Sequence, residues 1–156
     1  MQKRREIFLI LHNIRSLHNV GSIFRTADAA GVSKIFLTGY TPAPLDIFGK
    51  YRKEISKVAL GAEKYLPWGK VSNIRGLTKK LKKDGVEIIA LEQSRNAMNF
   101  KKFRPNYPLA LILGNEVRGI APAVLKKCDK IIQIPMRGKK ESLNVSVAAG
   151  VALFSL

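Results

Sequence analysis

Five short apolar runs recur along the chain, separated by longer stretches that are richer in polar residues. Several of these runs are rich in Ile and Val, β-branched residues that suit buried strands. They predict β-strands at residues 7–11, 35–37, 86–91, 109–113 and 131–134.

Between the apolar runs, the spacing of hydrophobic residues is typical of helices. One helix is expected at residues 20–30, with Gly31 placed to end it, and a short, very basic one at residues 74–83. Pro122 lies near the start of a third helix, and Gly150 lies inside the last. Alternating strands and helices predict the α/β class, with a mainly parallel sheet covered by helices on both faces.

Two segments rich in turn-forming residues, 40–49 and 95–108, are the best candidates for irregular surface loops. The chain has 156 residues, enough to bury one substantial core. We therefore expect a single domain over residues 1–156, with no additional RNA-binding extension at either end.

Charge narrows the possible partners. The 28 Lys and Arg residues outnumber 11 acidic ones, which gives a formal net charge of +17 and indicates a polyanionic partner. Nucleic acid is favoured over a membrane, because no apolar run approaches the roughly 20 residues of a spanning helix.

The single cysteine, Cys128, forms no intrachain disulfide, and no Cys/His spacing suits zinc, so no metal is expected. With no targeting segment apparent at the N-terminus, we expect a cytoplasmic protein.

The first candidate motif covers residues 19–27. Gly21 is expected to permit a tight turn, and Arg25 to lie one turn into the following helix. There, its guanidinium could hold a phosphate through two hydrogen bonds. An equally good alternative is an ordinary ion pair between Arg25 and a nearby carboxylate on a solvated helix face.

The second motif, residues 113–120, follows an apolar run and places Glu116 between glycines. Glycines allow a ligand to approach the backbone, and Glu116 could orient a hydroxyl, an amide or an arginine. The alternative is a strand-to-helix turn in which Glu116 lies near the helix N-terminus and is stabilised by the helix dipole.

The third motif places Glu141, Ser142 and Asn144 at a strand-to-helix junction, where unpaired backbone N–H groups can also hold a ligand. Helix capping is the alternative, since Ser and Asn are both good N-cap residues. His12 and His18 flank the loop before the first helix, and structural or RNA-contact roles are favoured for both.

Residues 19–27, 113–120 and 134–150 resemble, in this order, the three signature motifs of the SpoU/TrmH family of RNA ribose 2′-O-methyltransferases, within the SPOUT superfamily. The similarity includes residues 59–63 and spans nearly the whole chain. The resemblance implies a parallel α/β sheet whose C-terminal part forms a deep trefoil knot. It also implies S-adenosylmethionine as cofactor, a homodimer with active sites near the interface, and tRNA or rRNA as substrate.

Residue roles follow from the same resemblance. It implies that Arg25 acts as the base, but a guanidinium is effectively never deprotonated in proteins. Our hypothesis is instead that Arg25 clamps the adjacent phosphate while Ser142 or Asn144 orients the ribose hydroxyl. The implied roles fall into three sets: catalytic Arg25, Glu116, Ser142 and Asn144; cofactor-binding Leu91, Gly114, Ile134 and Leu143; and RNA-binding Asn19, Arg25 and Arg118.

Two other functions remain open at this point. One is a non-catalytic RNA-binding or ribosome-assembly protein that has kept the fold, which the presence of all four catalytic residues disfavours. The other is a small basic α/β RNA-binding domain of ribosomal-protein type. Cofactor binding separates the methyltransferase from the first alternative. The second alternative predicts a monomer, whereas the family resemblance predicts a dimer.

Overall fold

The computed structural model describes residues 4–156, so the N-terminal residues considered above for a targeting segment lie partly outside it. It contains seven strands and six α-helices. The strands are β1 Ile7–His12, β2 Lys34–Thr38, β3 Trp68–Val71, β4 Glu87–Leu91, β5 Met98–Asn99, β6 Leu109–Leu113 and β7 Lys130–Gln133. The helices are α1 Leu17–Ala29, α2 Lys53–Ala59, α3 Ala62–Tyr65, α4 Ile74–Lys83, α5 Pro122–Leu125 and α6 Val145–Leu153, with a short 3₁₀ helix at Phe100–Lys102.

The seven strands form one sheet in the order β3-β2-β1-β6-β4-β7-β5, and every pairing between them is parallel. All five residues of the central strand β6 are buried. One apolar cluster contains residues of α1, α2, α3 and α6, and a second contains residues of α4 and α5. The prediction of a mainly parallel sheet with helices on both faces is therefore confirmed.

The five predicted strands are all present, and the helix predicted at residues 74–83 has those bounds. Strands β3 and β5, and helices α2 and α3, were not predicted. Both missed strands are edge strands without a buried residue, so they lack the apolar run that marks an interior strand. The prediction of a wholly irregular loop at residues 95–108 was partly wrong, because this segment contains β5 and the 3₁₀ helix.

The role expected for Gly21 was also wrong. Gly21 lies inside α1 and forms no turn, because the helix already begins at Leu17. A Cβ at this position would lie 2.6 Å from the carbonyl oxygen of Ile55 and 3.1 Å from Cβ of Val58, so glycine is what allows α2 to pack against α1. Arg25 consequently lies about two turns into the helix rather than one.

Parallel strands end at the same edge of a sheet, so the residues that follow β1, β4, β6 and β7 are brought together. These strands are neighbours in the sheet, and all three sequence motifs lie just beyond this edge.

Within residues 4–156, no helix is both long and apolar enough to span a membrane.

The close packing of α1 on α2 gives a stability test. Gly21→Ala should lower the free energy of unfolding by about 1–3 kcal/mol, because the added methyl group meets main-chain atoms that cannot rotate away. Urea denaturation measures the change. Gly76→Ala in α4 is the matched control: its Cβ would meet nothing closer than 3.8 Å, so stability should stay the same or rise slightly. Equal effects of the two substitutions would contradict the packing role of Gly21.

Candidate functional site

A cleft opens at the carboxyl edge of the sheet, beyond β4, β6 and β7. Its walls are the ends of these strands, the loop that follows β6 and the loop that leads from β7 to α6. It is lined by Leu91, Glu92, Gln93, Leu113, Gly114, Asn115, Glu116, Val117, Gly119, Gln133, Ile134, Met136, Ser142, Leu143, Val145 and Ala148. All four predicted cofactor-binding residues are among them.

The loop after β6 is held in a tight turn by its own hydrogen bonds. The N–H of Asn115 donates to the carbonyl of Gly119 (3.2 Å), and the N–H of Gly119 donates to the carbonyl of Asn115 (3.0 Å). At Gly114, a Cβ would lie 2.5 Å from Cγ1 of Ile120 and 2.7 Å from the carbonyl carbon of Gly119. Only glycine permits this close return of the chain beside the cleft.

Glu92, which the sequence analysis missed, joins this loop to the end of β4. Its Oε2 accepts a hydrogen bond from the N–H of Ile120 (2.6 Å), and its Oε1 accepts one from the N–H of Gln93 (3.0 Å). Two walls of the cleft are thereby connected through one carboxylate. The sequence did contain one indication that Glu92 belongs to the site, namely its position: it is the first polar residue after a buried strand in an α/β sheet.

The third wall is the loop from β7 to α6. Asn144 caps α6, because its Oδ1 accepts a hydrogen bond from the N–H of Ser146 (2.8 Å). In residues 136–143, no N–H group donates to another main-chain group, and this segment includes Ser142 and Leu143 at the cleft wall. Both interpretations of the third motif therefore apply: Asn144 is a helix cap, and the loop before it presents free polar groups to a ligand.

The three motifs meet through a chain of hydrogen bonds centred on Glu116. Its carboxylate accepts hydrogen bonds from the N–H groups of Arg15 (3.1 Å) and Ser16 (3.0 Å), and from Nδ2 of Asn19 (3.2 Å). Nδ2 of Asn144 in turn donates to Oδ1 of Asn19 (3.2 Å). Glu116 does lie at a helix N-terminus, but it is that of α1, more than 90 residues earlier in the chain, and not that of the helix that follows it.

These contacts determine the charge of Glu116. Burial acts to raise the pKa of its carboxyl group, but hydrogen bonds from the main-chain N–H groups of Ser16, Glu116 itself and Arg15, and from the Asn19 side chain, outweigh burial. The pKa is therefore held below its ordinary value of 4.5. Glu116 is ionised at neutral pH, and with its oxygens already bonded it acts as an anchor rather than as a proton acceptor.

A second cavity lies next to the cleft and shares Asn115, Glu116 and Val117 with it. Its remaining lining residues are two exposed arginines, an exposed tyrosine, the N-cap serine of α1 and the asparagine of the first motif: Arg15, Arg118, Tyr40, Ser16 and Asn19. Two of the predicted RNA-binding residues, Asn19 and Arg118, thus lie at this second cavity.

Arg25 lies apart from the other predicted catalytic residues. It is exposed on α1 and lines neither cavity. In the part of the chain that the structure describes, no carboxylate oxygen lies within 4.0 Å of its guanidinium, so the ion-pair alternative is not observed. Residues 4–156 also contain no cluster of three or more His, Cys, Asp or Glu side chains arranged to hold a metal ion.

The two histidines differ in their surroundings. Nδ1 of His12 lies 2.8 Å from Oγ1 of Thr38, and burial lowers the pKa of His12 below 6.5. His12 is thus a half-buried residue at the end of β1, which agrees with the structural role favoured for it. His18 is exposed on α1 and lines neither cavity.

Residues 6–154 match the model of the SpoU rRNA Methylase family, which covers nearly all of the chain and all three motifs. The chain belongs to this family. It is 33% identical over 153 residues to the tRNA (guanosine(18)-2′-O)-methyltransferase of Aquifex aeolicus, covering 98% of this chain and 69% of that protein. It is 36% identical over 152 residues to the 23S rRNA (guanosine-2′-O-)-methyltransferase RlmB of Ralstonia nicotianae, covering 95% of this chain and 57% of the relative.

Solved structures agree with this membership. The A. aeolicus TrmH/SpoU tRNA modifying enzyme superimposes with a TM-score of 0.84 at 30% identity, over 99% of this chain and 75% of that one. An AdoMet-bound rRNA methyltransferase from Sinorhizobium meliloti superimposes with a TM-score of 0.87 at 28% identity, over 96% of this chain and 55% of that one. The chain spans 59% of the length of YacO from Bacillus subtilis, to which it is 34% identical.

The anchoring role of Glu116 gives a pH-dependent prediction. Glu116→Gln should lower the free energy of unfolding at pH 7 by roughly 1–3 kcal/mol, because the amide has no charge and only one acceptor oxygen. The carboxyl pKa is lower in the folded chain than in the unfolded one. Its stabilising contribution is therefore complete above about pH 4.5 and is lost as the pH falls through the folded pKa.

Urea denaturation of the wild-type protein and Glu116→Gln at pH 7 and pH 3 measures this difference in stability, which should be smaller at pH 3 than at pH 7. Glu141→Gln is the control, because Glu141 is exposed and accepts no hydrogen bond within residues 4–156. A loss of equal size at both pH values would show that the ionised carboxylate is not the stabilising group.

Proposed function

We propose that this protein transfers a methyl group from S-adenosylmethionine to a ribose 2′-hydroxyl of tRNA or rRNA. The observation that carries the proposal is the hydrogen-bonded chain from Asn144 through Asn19 to Glu116, which gathers the three family motifs beside one cleft. Relatives that share one third of its residues are named as tRNA and rRNA 2′-O-methyltransferases of guanosine. The high positive charge fits an RNA substrate.

The cleft suits this cofactor. Leu91, Ile134 and Leu143 offer apolar side chains for an adenine ring. Met136, Ser142 and Leu143 line the cleft with N–H groups that donate to no other main-chain group, and these can serve as donors for polar atoms. The close return of the chain at Gly114 leaves main-chain groups at the cleft wall. When bound, the cofactor supplies an electrophilic methyl group on a sulfonium centre.

The contribution of this chain to the reaction is mainly the alignment of the ribose hydroxyl. Asn144 already uses its side chain to cap α6 and to donate to Asn19. Ser142 lines the cleft and forms no hydrogen bond in the part of the chain that the structure describes. We therefore assign orientation of the 2′-hydroxyl to Ser142, with Asn144 holding the loop that carries it.

We also propose a homodimer formed through α6. Val147, Val151 and Phe154 are exposed at 51%, 38% and 65%, and their spacing places them on one face of that helix and its end. Helix α6 packs beside α1, where a Cβ on Gly150 would lie 3.5 Å from Cγ2 of Thr26. Arg25 is the residue before Thr26 on α1 and is exposed, so a dimer through this face brings the guanidinium toward the partner subunit, where it serves as the phosphate clamp.

The proposal extends to the chain path, in which the C-terminal segment forms a trefoil knot. Strand β7 lies between β4 and β5, so the connection between those two strands must pass over the β7 end. Nε2 of Gln93, in that connection, donates to the carbonyl of Ile134 (2.7 Å), directly where the chain leaves β7. The chain then returns to α1 as helix α6, which supports passage through the β4–β5 connection.

Methyl transfer tests the function directly. Labelled S-adenosylmethionine is incubated with separate pools of tRNA and rRNA that lack the modification, and digestion locates the label. Label on a ribose 2′-oxygen in one pool is expected. Transfer to neither RNA pool, together with no measurable cofactor binding, would favour the non-catalytic RNA-binding alternative.

Ser142→Ala should lower kcat about tenfold or more, because the hydroxyl that orients the ribose is lost, and should leave cofactor affinity nearly unchanged.

Sedimentation equilibrium tests the dimer. The wild-type protein should sediment as a dimer at micromolar concentration, and Val151→Glu with Phe154→Glu should shift it to a monomer, because buried charge without a partner is costly. Phe48→Glu is the control, since Phe48 is 79% exposed in the loop between β2 and α2, outside the proposed interface. A monomeric wild-type protein, or a dimer unaffected by the α6 changes, would contradict this interface.

A further inference from the structure

Tyr40 is an exposed aromatic residue that is nevertheless held by hydrogen bonds at its main chain and at its hydroxyl group. It is 58% exposed at the wall of the second cavity. Its main-chain N–H donates to Oδ1 of Asn13 (3.2 Å), and its hydroxyl oxygen accepts a hydrogen bond from Nδ2 of Asn115 (2.9 Å). The ring is therefore fixed in orientation while much of its surface is open to solvent.

The backbone beneath Tyr40 is equally well anchored. Thr38 and Thr41, on either side of it, are fully buried. The hydroxyl of Thr41 donates to the carbonyl of Leu11 (2.8 Å) and accepts from the N–H of Ile14 (3.0 Å). The ammonium group of Lys70 also donates to the carbonyl of Thr41. A solvent-facing ring on such a rigid base is pre-organised for contact with another molecule.

The position of the ring suggests what that molecule is. Tyr40 shares its cavity with the exposed residues Arg15 and Arg118, and the cavity adjoins the proposed cofactor cleft at Asn115 and Glu116. A flat aromatic surface flanked by two guanidinium groups matches the chemistry of an unpaired nucleotide, whose base stacks on the ring and whose phosphates bind arginine.

We propose that Tyr40 is the stacking surface for an unpaired RNA base next to the reacting ribose, with Arg15 and Arg118 contacting the adjoining phosphates. This inference rests on the proposed function, and it narrows the substrate to an RNA whose target lies in a loop or another unstacked segment. Stacking does not distinguish bases strongly, so Tyr40 contributes affinity and position rather than sequence preference.

Substitutions at Tyr40 separate stacking from a structural role. Tyr40→Ala should raise the KM for RNA about 5- to 100-fold, because stacking on an aromatic ring is lost. Tyr40→Phe and Tyr40→Trp keep a ring and should stay within about threefold of wild type. Tyr40→Leu keeps apolar bulk without a flat ring and should resemble Tyr40→Ala. Cofactor affinity should be the same in all variants.

Tyr65→Ala is the matched control, because Tyr65 is 75% exposed on α3 and lines neither cavity. It should leave the KM for RNA unchanged. If Tyr40→Phe were as damaging as Tyr40→Ala, the hydrogen bond to Asn115 would be the important feature. If Tyr40→Leu behaved like wild type, the role would be simple packing. Either result overturns the stacking proposal.

A second measurement does not depend on turnover. RNA hairpins carrying 2-aminopurine at each loop position in turn report stacking as fluorescence quenching. Wild type and Tyr40→Phe should quench one position that Tyr40→Ala does not, and equal quenching by all three would overturn the inference. Absence of methyl transfer by wild type, with Tyr40-dependent quenching retained, would instead reject the proposed function and leave RNA stacking in place.

Discussion

The arrangement of the site depends on one carboxylate at the N-terminus of a distant helix. Glu116, in the turn after the central strand β6, accepts hydrogen bonds from Asn19 and from the main-chain N–H groups of Arg15 and Ser16, which immediately precede α1. A helix N-terminus presents unpaired donors and partial positive charge, which favour an ionised carboxylate there. Asn19 also accepts a hydrogen bond from Asn144, so these contacts hold Asn19 beside two segments that lie 97 and 125 residues later in the chain.

The two adjoining cavities divide the chemistry. The cleft at the ends of β4, β6 and β7 is mainly apolar at its side chains and offers polar groups from its loops, as a cofactor with a flat ring and several polar atoms requires. The second cavity carries arginines and an aromatic ring, as a nucleotide requires. Glu116 lies between them and is not free for proton transfer, so in the proposed reaction this chain contributes mainly proximity and orientation.

The sequence predicted the interior of the fold better than its edges. Strands β1, β2, β4, β6 and β7 each contain a recognisable apolar run, whereas β3 and β5 lie at the two edges of the sheet, bury no residue and left no such signal. Gly21 shows a different limit: its presence in the first motif was evident, but its reason is the carbonyl of Ile55 on another helix. Glu92 was missed because its partner, the N–H of Ile120, is 28 residues away.

By itself, the sequence determined the α/β class, the central strands and the family resemblance, because hydrophobic periodicity and short motifs are properties of continuous segments. Only the tertiary structure decided which polar groups meet. It placed Glu116 against the N-terminus of α1, made Asn144 both a helix cap and a partner of Asn19, and left Arg25 outside both cavities. These contacts follow from the order of strands in the sheet, which brings together residues that no local pattern relates.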